Sequence, residues 1–271
     1  KSVGNFNLDT DEQKEWYSIS TNRSSEHLGD CLELMPLIAD ESIDMILCDL
    51  PYGTTQNKWD SIIPLDKLWK EYERIIKQNG AIVLTSAEPF TSALVMSNPK
   101  LFRYDIIWEK QKGSDPLNAN RKPLRSHENI LVFYKKQPTY NPQFEQGEPY
   151  IRKGDCRVKS SNFNEANTIN DRGSEDGKRY PKTVVKFSGE GMNSNNLHPT
   201  QKPQKLMEYL IKQYSNENEI ILDNTAGVFT TAIACLETNR KYIVMEKEKE
   251  YYNKGLKRIL EWQREQKTKL F

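Results

Sequence analysis

What this chain has little of narrows it first. Its four cysteines, Cys31, Cys48, Cys156 and Cys235, are scattered and form no CxxC spacing. They read as small core residues or lone thiols rather than as disulfides or zinc ligands. The three histidines also lack ligand spacing, so no metal site is expected. No GxGxxG turn follows the first strand pattern, which removes an ordinary nicotinamide dehydrogenase. No uncharged apolar run approaches membrane length, and no signal-peptide pattern opens the chain. A reduced, cytoplasmic setting with no membrane partner is the expectation. No internal repeat is visible, and an excess of one charge is missing too: 39 Lys and Arg stand against 38 Asp and Glu.

What is present is 271 residues, 36% apolar and 28% charged. That length suits one sizeable α/β domain with an insertion, or two modest domains. The charge is unevenly spread. Lys110 to Leu197 holds sixteen Lys and Arg against ten Asp and Glu, so the middle is basic and the flanks are mildly acidic. A basic middle fits an insertion that binds a polyanion, and equally a solvated lysine-rich face.

Three segments read as buried strands. Ser42–Cys48 is apolar and β-branched and runs into Asp49-Leu50-Pro51-Tyr52. Ala81–Thr85 follows an amphipathic stretch, Leu65–Lys77, and the stop signal Asn79-Gly80. Glu219–Leu222 ends at Asp223, and a helical pattern from Thr230 leads to a strand at Lys241–Glu246. Strands alternating with helices mean βαβ units and a largely parallel sheet. Arg103–Trp108 and Asn129–Tyr134 add two neighbouring strands, read as a hairpin at one side. From Lys110 to Leu197 this rhythm is lost in a polar stretch with spaced aromatics, which favour a folded accessory lobe over a linker. An amphipathic helix is expected at Gln201–Gln213 and a charged scaffold helix at Glu248–Lys269.

The chemistry is concentrated where the first strand ends. An exocyclic amino group on a base is a poor nucleophile, because its lone pair is delocalised into the ring. Activating it needs acceptors for its N–H bonds and a surface on which the base can stack. Asp49, the Pro51 carbonyl and Tyr52 supply these in order, at the carboxyl end of a strand where doubly wound sheets bind ligands. The same residues are also good turn punctuation, and alone they do not choose between the two readings.

Their neighbours add more. Asp49-Leu50-Pro51-Tyr52-Gly53 resembles the (D/N/S)PP(Y/F/W) motif of the amino-methyltransferases. Asp223-Asn224-Thr225-Ala226-Gly227-Val228-Phe229-Thr230-Thr231 is similar to their DPFxGSGTT cofactor loop. His198-Pro199-Thr200-Gln201-Lys202-Pro203 matches the HPTQKP element, and Gly29–Leu34 resembles the segment that faces the cofactor adenine. The order, with catalytic motif, variable region and then cofactor loop, resembles the β-class of DNA N6-adenine and N4-cytosine methyltransferases, over about Leu28 to Ile259 outside the variable middle.

That resemblance implies an α/β, Rossmann-like S-adenosylmethionine-dependent methyltransferase sheet with an inserted, irregular target recognition domain. Residues 1–109 would form the catalytic half, 110–197 the target recognition region (its first strands, to about 135, belonging to the catalytic sheet), and 198–271 the cofactor-binding half. Asp49, Pro51 and Tyr52 would be catalytic. Asp30, Cys31, Asp49, Thr200, Lys202, Asp223, Asn224, Ala226, Gly227, Glu246 and Lys247 would hold the cofactor, with Glu246 on the ribose and Lys202 a candidate for the methionine carboxylate. Arg121, Arg125, Arg152, Arg172 and Arg179 would contact DNA. The implied activity is methylation of N6 of a flipped adenine in double-stranded DNA. An N4-cytosine enzyme, or a silent DNA-binding protein or partner subunit, stands as the alternative. A homodimer and a restriction endonuclease of the same system are the implied further partners.

Two departures stand out. Leu50 replaces the usual first proline, leaving carboxylate, second proline and aromatic in place. Val228-Phe229 stands where the family has Ser-Gly, and glycine there lets the backbone approach the cofactor. The expectation is that Phe229 obstructs or twists the loop, weakening cofactor binding, and that Val228→Ser with Phe229→Gly restores it. The other reading sends Phe229 into the core with the loop path kept.

Overall fold

The computed structural model describes residues 18–53, 60–151, 173–188 and 201–269. An eight-stranded sheet dominates it. In chain order its strands are β1 (Ser25–Leu28), β2 (Ile43–Asp49), β3 (Ile76–Ser86), β4 (Phe102–Ser114), β5 (Arg125–Phe133), β10 (Val184–Lys186), β11 (Ile220–Asp223) and β12 (Lys241–Glu246). Four two-residue strands, β6 (Glu145–Gln146), β7 (Tyr150–Ile151), β8 (Gly173–Ser174) and β9 (Lys178–Arg179), lie outside it. The helices are α1 (Cys31–Leu34), α2 (Leu65–Ile75), α3 (Phe90–Ser97), α4 (Gln204–Tyr214), α5 (Thr230–Glu237) and α6 (Lys249–Lys269).

The spatial order is β1-β12-β11-β2-β3-β5-β4-β10. β1, β12, β11, β2 and β3 pair in parallel, and the β4–β5 hairpin adds to β3 antiparallel. From β2 the chain winds outward to β3, and from β11 it winds the opposite way to β12. The carboxyl ends of β2 and β11, paired through Met45–Ile221 and Ile46–Leu222, therefore flank the point where winding reverses. Open α/β sheets bind ligands at such a crevice. Asp49 ends one of these strands and Asp223 the other.

The strands are apolar on both faces because both faces are covered. Ile46 and Cys48 of β2 join the core under α2 and α3, where Tyr72 and Leu68 are fully buried. Met45 and Leu47 join the opposite core under α4 and α5, with Leu210 and Ile211. α2 forms because Leu68, Trp69, Tyr72 and Ile75 fall at helical spacing on one face.

Several boundaries differ from the sequence reading. α2 stops at Ile75, and Asn79-Gly80 lies inside β3 rather than ending a helix. Ile76 already pairs with Ile43, and the register shifts before Met45 meets Ala81. Gly80 serves close approach there: a Cβ would stand 2.8 Å from the Asp44 carbonyl oxygen and 2.6 Å from the Ile76 side chain. β4 continues to Ser114, past the expected loss of rhythm at Lys110, and β1 had no counterpart in the sequence reading.

The chain divides into two compact units: Lys1–Asn141 with Thr183–Phe271, and Pro142–Lys182. The first contains the whole large sheet. The second holds two short antiparallel ladders, β6–β9 and β7–β8, with Phe144 packed on Tyr180 at 5.0 Å between ring centroids. Cys31, Cys48 and Cys235 are buried free thiols, whereas Cys156 lies outside the described residues. No described helix is long and apolar enough to cross a membrane.

Candidate active site

One cavity of about 940 Å³ opens at the reversal point of the sheet. Every sequence-nominated catalytic and cofactor residue among the described ones lines it: Asp30, Cys31, Asp49, Pro51, Tyr52, Lys202, Asp223, Asn224, Ala226, Gly227, Glu246 and Lys247. Thr200 and the His198-Pro199 dipeptide lie outside the described residues.

On one side, the loop after β11 is pinned by backbone contacts. Gly227 donates its N–H to Glu246 Oε2 at 2.8 Å, and the Glu248 N–H donates to Oε1 at 2.7 Å. The Gly29 N–H bonds the Glu246 carbonyl at 3.0 Å, so the ends of β1 and β12 and the loop converge on one acid. Burial holds that carboxyl above the ordinary range. Gly227 has φ +53, and a Cβ built on it would meet nothing within 4 Å, so its glycine serves backbone conformation beside open space. Asp30 caps α1, accepting from the Leu32 N–H at 2.8 Å.

Asp223 and Asn224 lie deeper. Asp223 accepts from the Thr231 hydroxyl at 2.5 Å and the Thr225 N–H at 3.1 Å. Burial pushes its carboxyl up to about 7, and the charge of Asp49 adds to the shift. The Asn224 side-chain carbonyl accepts from the Tyr72 hydroxyl at 2.6 Å and the Cys48 thiol at 2.8 Å. Its Nδ2 is buried with no hydrogen-bond partner, an orphaned donor at the cavity wall.

Phe229 follows the second of its two readings, with the ring in the core and the loop path kept. Its ring is fully buried in the core beneath α5 and α6, edge-on to Tyr252 with centroids 5.5 Å apart. It neither lines the cavity nor blocks it. The residue keeps φ +63, the left-handed conformation a glycine would adopt, so the turn into α5 is retained. The ring fits because α6 presents Gly255 to it: a Cβ there would stand 2.4 Å from the aromatic carbons.

On the other side, Asp49 accepts from three donors. Its Oδ1 accepts from the Tyr52 hydroxyl at 2.8 Å and from the Thr85 hydroxyl. Its Oδ2 accepts from Lys202 Nζ at 2.6 Å. Tyr52 stacks on Phe90 at 5.4 Å, with Lys202 Nζ 5.5 Å from its ring centroid. Burial, then the neighbouring Asp49 and Glu128 charges, push the Tyr52 hydroxyl well up, so it stays a donor at neutral pH. Burial alone would push Lys202 down, but Asp49 and Glu128 on either side hold it above the ordinary lysine value. Leu50, the departure from the family motif, is 3% exposed and belongs to the core.

Glu128 and Thr85 were not nominated from sequence, although Glu128 had a signal. It stands next to the apolar Ile130–Phe133 run of β5, where a lone acid must find a partner. Lys110 Nζ pairs with its Oε1, and Lys202 Nζ lies 3.4 Å from its Oε2. Of the nominated arginines, Arg125 lines the cavity and donates to the Glu88 carbonyl at 3.0 Å, and Arg121 is exposed. Arg179, in the second unit, lies over the Tyr150 ring at 4.5 Å and donates to the Glu148 carbonyl. Arg152 and Arg172 lie outside the described residues.

Residues 43–257 match the N6/N4 family described as a DNA methylase. The chain belongs to that family. Among its relatives, DNA adenine methyltransferase YhdJ of Escherichia coli (strain K12) is 26% identical over 85% of this chain and 81% of its own length. Type II methyltransferase M1.MboII of Moraxella bovis is 26% identical over 84% and 94%. Two solved structures share the fold. The M1.HpyAVI–SAM complex has a TM-score of 0.60 at 23% identity, covering 87% of this chain and 98% of its own. PvuII DNA methyltransferase, described as cytosine-N4-specific, has a TM-score of 0.64 at 18% identity, covering 89% and 86%. An N6/N4 methylase sheet thus hosts either base, and the fold does not choose between them.

Proposed function

We propose that this chain moves a methyl group from S-adenosylmethionine to N6 of an adenine turned out of duplex DNA. One observation carries the reading: Asp49, Pro51 and Tyr52 share a single cavity with the Asp223–Gly227 loop and Glu246. Aspartate at position 49 favours adenine, because within the resemblance serine is commoner in cytosine enzymes.

The cavity suits the cofactor. Gly227 leaves open space above its backbone, and Asn224 Nδ2 is a buried donor without an acceptor. Asp30, Asn224, Gly227 and Glu246 are the residues that would hold it. When bound, S-adenosylmethionine supplies a methyl group on a positively charged sulfur that leaves as a neutral thioether. The residues of the chain do the rest by position and charge. Asp49 and the Pro51 carbonyl accept from the two N–H bonds of the target amino group, favouring a tetrahedral nitrogen with its lone pair free. Tyr52, fixed by Asp49, Thr85 and Phe90, offers its ring to the base and to the positive charge that grows on it. The base must leave the stack because its amino group is otherwise unreachable. Residues 110–197 would supply the contacts that select the site.

The test is methyl transfer to mixed-sequence duplex DNA, with product nucleosides separated by mass spectrometry. N6-methyladenine from the parent, lost by about a hundredfold or more in Asp49→Ala, is expected. N4-methylcytosine would overturn the base assignment, and no methylated nucleoside at all would overturn the activity.

A further inference from the structure

Asp49 is occupied. Oδ1 already has two donors, Tyr52 and Thr85, which fills its two lone pairs. Only Oδ2 has capacity left for an incoming N–H group, and Lys202 Nζ sits on it at 2.6 Å. An ammonium there weakens the carboxylate as an acceptor and opposes the positive charge that must grow on the target nitrogen. Oδ2 keeps one lone pair free and can share it, but a site that works by that carboxylate gains acceptor strength when the lysine moves aside as the base arrives. In a buried setting the ammonium cannot move to a place without a counter-charge.

The structure supplies one such place. Glu128 is 8% exposed, and its Oε1 is fixed by Lys110. Its Oε2 is buried, has no hydrogen-bond partner, and lies 3.4 Å from Lys202 Nζ. The lysine is thus closely hydrogen-bonded to one carboxylate and more loosely ion-paired with another. A displacement of about half an ångström would complete the second bond, and further rotation of the flexible lysine stem would carry the ammonium clear of Asp49. Burial alone would push Glu128 up, but Lys202 and Lys110 outweigh it and keep the carboxylate ionised. The charged and titratable groups facing the cluster are Asp49 from β2, Tyr52 after it, Lys110 from β4, Glu128 from β5, Lys202 before α4 and Asp223 from β11.

We propose that Glu128 is a positioning residue that draws Lys202 off Asp49 as the target base enters, strengthening Oδ2 as the acceptor for the amino group. No bond is made or broken and no proton changes hands in this step; one ammonium exchanges one carboxylate oxygen for another. The inference rests on the methyl-transfer reading and names a residue for it that neither motif contains.

The experiment compares the parent with Glu128→Gln, Glu128→Asp, Lys202→Gln and the Glu128→Gln/Lys202→Gln pair. It reads kcat, KM for DNA, S-adenosylmethionine affinity by calorimetry, melting temperature and the pH profile. Glu128→Gln should bind the cofactor like the parent and keep its KM. Its kcat plateau should fall about tenfold, because Lys202 stays on Asp49. The acid limb of its profile should also move to lower pH because a neighbouring negative charge is lost, while the lowered kcat at parental KM is what a merely structural residue would not cause. In the Lys202→Gln background, Glu128→Gln should cost nothing more, since it acts only through the lysine. Glu128→Asp keeps the charge with a shorter reach and should recover part of the loss; should the glutamine variant not fold, its kcat relative to the parent carries the comparison. A charge-neutral variant with parental kcat, additive losses in the pair, or loss of cofactor affinity in step with kcat would each overturn the proposal. An inactive parent would instead strike the methyl-transfer reading, and this inference with it.

Discussion

Asp223 shows what one residue can impose on the whole stability curve. It is 3% exposed, and its carboxyl is pushed up to about 7 by burial, with the Asp49 charge adding to it. The hydrogen bonds from Thr231 and Thr225 offset only part of that. Between the ordinary carboxylate range and about pH 7, the folded chain keeps a proton that the unfolded chain has released. The folded state binds more protons across that window, so stability falls as pH rises through it. Glu246 is shifted the same way by burial. Asp223→Asn should therefore flatten, without abolishing, the fall in melting temperature between about pH 4 and pH 8. An unchanged slope in that variant would mean the ionised carboxylate is not disfavoured in the fold. The sequence placed Asp223 in a cofactor loop, but its titration depends on burial by neighbours distant in the chain, which no local motif encodes.

At the scale of elements, the loop entering α5 and the middle of α6 answer each other. Phe229 holds a left-handed backbone, a strain of roughly 1–2 kcal/mol for a residue with a side chain. Burying its ring against Tyr252 offsets this, since removing a buried phenylalanine side chain costs about 3–5 kcal/mol. Val228→Ser/Phe229→Gly should then melt lower than the parent and bind S-adenosylmethionine no more tightly; tighter binding would restore the obstruction reading. Gly255→Ala, normally worth about 1 kcal/mol in a helix interior, should destabilise here because its methyl would meet the Phe229 ring. The sequence could not decide this, because Phe229 and Gly255 are separated in the chain and each looks like a defect alone. The long apolar runs were legible: β2, β11 and β12 lie where the patterns put them, and β3 and the β4–β5 hairpin contain the expected segments, Tyr134 excepted, but extend beyond them. β1, Ser-Glu-His-Leu, was not, since a short edge strand with three polar residues has no period to read. Asn79-Gly80 misled for the opposite reason, being turn residues used for close packing inside a strand.

For the whole molecule, near-neutral net charge hides a basic middle, and the arginines within it are not equivalent. Arg121 is exposed near the 3-10 turn Pro116–Asn118, its described hydrogen bond being only the backbone one to Asn118. Arg179 is engaged inside its own unit, over Tyr150 and bonded to Glu148. A guanidinium free to reach a phosphate releases counterions on binding, whereas one engaged in its own unit contributes mainly to that unit's order. Arg121→Ala should thus weaken binding to unrelated duplexes about equally and lower the slope of log affinity against log salt by about 1. Arg179→Ala should leave that slope unchanged and reduce hydrogen-exchange protection across β6–β9. Affinities titrated over a salt series, with exchange measured on the same variants, separate the two roles. A salt slope lowered equally by both changes would mean Arg179 leaves Tyr150 to meet the backbone of the duplex, and the second unit would then read DNA with the side chain that now holds it together.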